Sequence, residues 1–260
     1  MMTAAVFILL IALIIYIARG KTGRILLTLL FNAIVLFAAT VLMGMHMNPV
    51  AVGWCCFIAV SILTLFYQNG VNKKTLAAFI SLFMILAVLT ALIVFLCERA
   101  GICGLNSKTA IEDEIVVLDL HLNVDMVGVT YVVIMLGLIG TVKDSAMAVA
   151  TGMYEVWERN GNITAKELFK SGLNIGRDII GVTINTLLFA AIGESMLMIQ
   201  MYYDCSYSFA QLINAKSMFQ EVVLMLTGGI GVELSVPVTA AVLSIMCAGN
   251  KKGVAQDNGS

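Results

Sequence analysis

Long apolar runs separated by short polar stretches dominate the pattern along this chain. Residues 1–18, 25–45, 50–67, 75–96, 125–142, 179–201 and 222–247 form these runs, and most approach or exceed the ~18 to 20 residues that cross hydrocarbon as a helix. No segment shows the alternating pattern of a barrel strand. The pattern predicts an all-α, polytopic transmembrane helical bundle in a single domain over 1–250, with a disordered tail over 251–260. Runs two to four carry few polar groups and read as scaffold.

Between the runs, turn chemistry sets the boundaries. His46-Met-Asn-Pro49 closes the second run, with His46 as an interfacial turn residue, and Asn69-Gly70 with Lys73-Lys74 marks the next loop. Residues 97–123 turn polar and acidic. Thr109-x-x-Glu112 there fits a capping box and 115–122 partly alternates like a strand, so a short surface helix and an extended segment both remain open. His121 reads as a solvated residue. Further on, Thr164-Ala-Lys-Glu167 fits a second capping box and predicts a cytoplasmic amphipathic helix over 164–177, lying on the membrane surface ahead of the sixth span. Gly228-Gly229-x-Gly231 and Pro237 are expected to break the last span.

Lys143-Asp144 interrupts an otherwise apolar stretch, so the span count depends on residues 125–157. A hairpin through Gly137 and Gly140 gives eight spans; a single crossing gives seven. If the stretch crosses once, 12 of the 15 Lys and Arg collect on one side; if it crosses twice, they split 7 to 8. The positive-inside rule favours seven spans, N-terminus out and C-terminus in. Arg19, Lys21 and Arg24 follow the first run with no positive charge before it, the reverse of a secretory signal, so that run is expected to remain as an uncleaved span.

Composition agrees: 60% of residues are hydrophobic and 12% charged, with a mean hydropathy of +0.99, outside the balance of a soluble domain. Nothing supports nucleic-acid binding, and the lipid bilayer is the expected surrounding. Six cysteines (Cys55, Cys56, Cys97, Cys103, Cys205 and Cys247) lack the spacing of a zinc site. No metal, cofactor or catalytic residue is expected. Cys97, Cys103 and Cys205 can share the outer face, which leaves a disulfide among them open.

Ionisable groups inside a membrane are costly and mark pathways by default. Asp144 and Glu155 lie eleven residues apart, on one face if their helix is continuous. Asn174, Asp178, Gly181 and Asn185 repeat at helical spacing, with Arg177 and Lys143 as neighbouring cations. Glu233 precedes Pro237 by four, so its carbonyl is freed beside a carboxylate. Asp144, Asp178, Asn185, Lys143, Arg177, Glu233 and Glu155 are therefore the candidate pathway residues. Gly140, Gly172, Gly176, Gly181 and Pro237 are candidate packing or hinge positions. Ordinary structural roles stand beside these: an interfacial Arg177–Asp178 pair, Asn185 as packing contact, Lys143 as a neutralising charge.

The run Gly140-x-x-x-Asp144-x-Ala146-Met147, then Glu155, Ser171-Gly-x-Asn-Ile-Gly-Arg-Asp178, Asn185-Thr-Leu and Gly193, resembles the YibE/F-like membrane proteins. Departures are Lys143, where an apolar residue is expected, and Ala191, where an aromatic is common. The resemblance implies the shorter subunit type without an extracytoplasmic domain, in the bacterial plasma membrane. The partner it implies is a longer YibE/F-like subunit or a second copy in a homo-oligomer. A permease-like subunit for a small solute or ion is the leading functional expectation. A non-transporting membrane scaffold or assembly subunit is the alternative. An enzyme is not expected, because GxSxG and HExxH are absent.

Overall fold

The structure is a computed structural model that describes residues 22–101, 125–160, 163–204, 206 and 208–248, with scattered positions between 6 and 20. The described residues are helical throughout, with no strand. Helix α1 is Thr22–Gly44 and α2 is Pro49–Ile62, continuing as a π-helix over Leu63–Tyr67. Helix α3 is Lys73–Ala100, α4 Met126–Arg159, α5 Ala165–Asp204, α6 the short Phe209–Ile213 and α7 Lys216–Ala248. Six of these segments are long and apolar enough to cross a membrane. The run at 1–18 falls largely outside the described residues, as do 102–124 and the tail after Ala248.

Caps account for most of the helix starts. The Asn48 side chain accepts from the amides of Val50 and Ala51, with Pro49 at the first helical position where its missing N–H costs nothing. Asp125 accepts from the amides of Val127 and Gly128 at 3.1 Å, satisfying donors that would otherwise be orphaned. The Thr164–Glu167 box is present, with the Thr164 amide donating to Glu167 Oε2 at 2.9 Å. Gly101 ends α3 in the left-handed region, φ 61, where a glycine carries no Cβ penalty. His46 sits in the α1–α2 turn with φ 63.

The single crossing favoured by the charge count is present, and two expected breaks are absent. Residues 126–159 form one helix through Lys143-Asp144, so there is no hairpin at Gly137 and Gly140. Residues 164–177 are not a separate surface helix, because α5 runs unbroken into the sixth span. Helix α7 passes through Gly228, Gly229, Gly231 and Pro237 without interruption. The physical reason is shared: α4, α5 and α7 are each roughly 50 Å or longer at 1.5 Å per residue, well beyond the ~30 Å of hydrocarbon. Charges in such helices can stand where the helix leaves the apolar layer, and neighbouring helices supply the packing that outweighs poor local propensity.

The main core is built by α3, α4 and α7, with Leu82, Leu86, Leu89, Leu138, Val142, Met153 and Leu243 all buried. A smaller cluster of Ala39, Met43, Val52, Cys56 and Val132 ties α1 and α2 to α4. Helix α5 packs most closely along its first half, with a lighter contact of Leu187 against Gly228 further on. A Cβ at Gly172 would run into Met153 and Ala240, and one at Gly176 into Val236, so these two glycines let α5 lie against α4 and α7. Leu168 is buried on the same face. Beyond Gly176 no residue of α5 is buried until Ser195, and a recess opens between α4 and α5.

Candidate functional site

The recess has walls at helical spacing. Gly140, Thr141, Asp144, Ser145 and Ala148 of α4 face Ile179, Val182, Thr183, Thr186, Leu187 and Ala190 of α5 across about 590 Å³. The steps of three and four put each set on one side of its helix. On α5 this side continues the one that packs at Leu168, Gly172 and Gly176.

Two further recesses adjoin it. At the end of the bundle that carries the 68–72 turn, a space of about 480 Å³ is lined by Thr64, Gln68, Asn69, Lys74, Lys143, Asp144, Met147, Ala148 and Thr151. It shares Asp144 and Ala148 with the first. Toward the other end, about 140 Å³ is lined by Gly137, Thr141, Leu187, Ala190, Glu194, Glu221 and their neighbours. It shares Thr141, Leu187 and Ala190. The shared residues set the three in a row along α4, a candidate path with lysines at one end, two glutamates at the other and Asp144 between.

Asp144 is held loosely. Its carboxylate lies 3.9 Å from Lys143 Nζ, with the side chains 80% and 13% exposed respectively. At that distance the pair is a Coulombic contact rather than a directed hydrogen bond. Asp144 therefore remains open to whatever enters the path. The π-turn of α2 shapes the lysine end. Asn69 donates from Nδ2 to the Thr64 carbonyl at 3.0 Å and Asn32 donates to Thr64 Oγ1 at 3.2 Å, so the widened helix is supported by two carboxamides. Single π-turns of this kind recur at functional sites. Lys74 reaches over the Tyr154 ring at 5.8 Å, and Lys73 over Trp157 at 4.9 Å.

The structure brings together only part of the predicted set. Asp144 and Lys143 line the path. Asp178, Arg177 and Asn185 are exposed on α5 and line none of the three recesses. At 100° per residue they lie well round the helix from Thr183 and Thr186. The Arg177–Asp178 ion pair is not formed, neither side chain having an ionic partner. Glu155 shares the face of Asp144, because α4 is continuous, and stands roughly 16 Å further along it, outside the recesses. Glu233 and Pro237 are exposed on α7. Gly140 and Gly181 have open space where a Cβ would stand, so neither is a packing position within the chain.

Glu194 and Glu221 escaped the sequence reading, although the signal for Glu194 was available. It is a lone carboxylate inside the apolar run 179–201, the kind of residue that marks a pathway. The hydroxyls of Thr141, Thr183 and Thr186 carry no such signal, since threonine is common in membrane helices and bonds back to its own backbone, as Thr186 does to Val182 at 3.0 Å. Among the described residues, no group of three or more His, Cys, Asp or Glu could hold a metal ion.

A bundle of long apolar helices with a polar seam between two of them defines an integral, multi-pass α-helical membrane protein. The chain belongs to the YibE/F-like protein family, which it matches over residues 6–249. No curated protein and no solved structure matches it.

Proposed function

We propose that this protein is a permease-like subunit that passes a small solute or ion along the α4–α5 path, with Asp144 as its central polar station. The observation that carries this reading is the sharing of lining residues among the three recesses, which gives a polar route along membrane helices. Side chains that offer oxygen atoms at each step, Glu194, Thr141, Asp144 and Thr183, replace water for a proton or hydrated cation inside the apolar layer. The lysine end stands in the cytoplasm and the glutamate end outside. Two features support that orientation. Twelve of the 15 Lys and Arg fall at or near the lysine end when 125–157 crosses once, and Cys97, at the far end of α3, is disulfide-bonded, as suits an oxidising compartment. The membrane is the cell membrane.

The test is flux into proteoliposomes holding an entrapped pH or cation dye. Wild type should exceed empty vesicles, Asp144→Asn should fall to their level, and Asp178→Asn should keep wild-type rates because Asp178 lies off the path. Water access is read separately. Thr183→Cys should react with a membrane-impermeant thiol reagent and Val133→Cys, exposed on α4 away from the path, should not. Equal protection of both cysteines, or flux indifferent to Asp144→Asn, removes the reading.

A further inference from the structure

Helix α5 is covered on one side only. In α4 and α7 half of the apolar window is buried within the chain, whereas in α5 the figure is 6%. Its inward side is accounted for by the contacts at Gly172 and Gly176 and by the path. Its other side carries Arg177, Asp178, Gly181 and Asn185, all exposed, within an arc of about 100°. Asn185 lies roughly 10 Å beyond Asp178 along the axis, inside the apolar run 179–201. Among the described residues, none gives Arg177, Asp178 or Asn185 a hydrogen bond or ion pair. Lipid tails cannot satisfy such groups, so an uncovered carboxamide at that depth is unfavourable.

We propose that this side of α5 is the contact with a second copy of the chain, the two helices running parallel about a two-fold axis normal to the membrane. The stripe is complementary to itself, which is what a two-fold contact requires. Arg177 and Asp178 are neighbours of opposite charge, so each meets the other's counterpart across the axis. A carboxamide both donates and accepts, so Asn185 pairs with its own copy. Between them Gly181 has nothing within 4 Å of a Cβ position, leaving room for close backbone approach. The contact leaves the path free, because the path uses the opposite side of α5. It is thus independent of whether anything is transported.

The test coexpresses two differently tagged full-length chains and measures recovery of the second tag after pull-down of the first in native-lipid discs. Wild-type copies should copurify. Arg177→Asp with itself, or Asp178→Arg with itself, should lower recovery roughly tenfold, since like charges then face each other. An Arg177→Asp chain mixed with an Asp178→Arg chain should recover, because each new charge meets its opposite. Oxidation of Gly181→Cys should give a crosslinked pair absent from wild type and from Thr186→Cys. No copurification of wild type, no rescue by the mixed pair, or a different protein in place of the second tag overturns the proposal. Size-exclusion profiles of the singly reversed chains show that they remain folded.

Discussion

At the scale of single residues, two glycines hold α5 to its neighbours and others do not. A methyl at Gly176 would collide with Val236 on another helix, so Gly176→Ala should destabilise the protein by about 1–3 kcal/mol, the usual range for overpacking. Adding Val236→Ala should return most of that loss, as read by thermal unfolding in lipid discs. Gly140 has open space at the same position, and Gly140→Ala should leave stability unchanged or raise it by about 0.5–1 kcal/mol. Gly172 and Gly176 could be proposed from their spacing of four alone. That Gly140 and Gly181 face open space could not, because a glycine in sequence does not say which helix, if any, lies opposite it. Asp144 was visible as a charge in apolar surroundings. Glu194 was equally visible by the same rule, as a lone carboxylate in the run 179–201.

Elements were legible in kind and less so in extent. The apolar runs locate the spans, and the capping box at Thr164 places the start of α5, whereas the runs at 179–201 and 222–247 begin well inside α5 and α7. Thr164→Ala should cost about 1 kcal/mol through loss of the cap, measurable as a lowered unfolding midpoint, while Lys166→Ala, exposed two residues on in the same turn, should not. The continuity of α5 and α7 was not legible, and that of α4 was legible only through the charge count. Local composition registers Lys143-Asp144 and Pro237 as interruptions, but it contains nothing about the buried contacts of Val142, Ala146 and Val149 that carry α4 straight through. The charge count resolved what local pattern left open, because a hairpin at 125–157 would have divided the cations almost evenly.

For the whole molecule, the proposed orientation rests on charge, and it can be tested at two points on opposite surfaces. Asn160→Cys, in the α4–α5 turn, should be labelled by an impermeant reagent only after the membrane is opened from the cytoplasmic side. Cys97 should be labelled from outside, and only after a reductant has opened its disulfide. Labelling of Asn160→Cys in intact cells would invert the bundle. Such an inversion would place the lysine end against the outer leaflet, where the surface potential of anionic lipids on the cytoplasmic side no longer attracts it.

The way α5 is seated gives it the mechanics of a lever. Packed tightly at Gly172 and Gly176 and more lightly beyond, through Ile179 and Ile180 against the core and Leu187 against Gly228, it has more room to tilt at its far end than at its near one. Ala190 stands 14 residues from Gly176, so a tilt of about 5° there displaces it by roughly 2 Å at 1.5 Å rise per residue. Small changes in packing around Val236 and Met153 would therefore be magnified toward the far end of α5, and with them the width of the recess between α4 and α5.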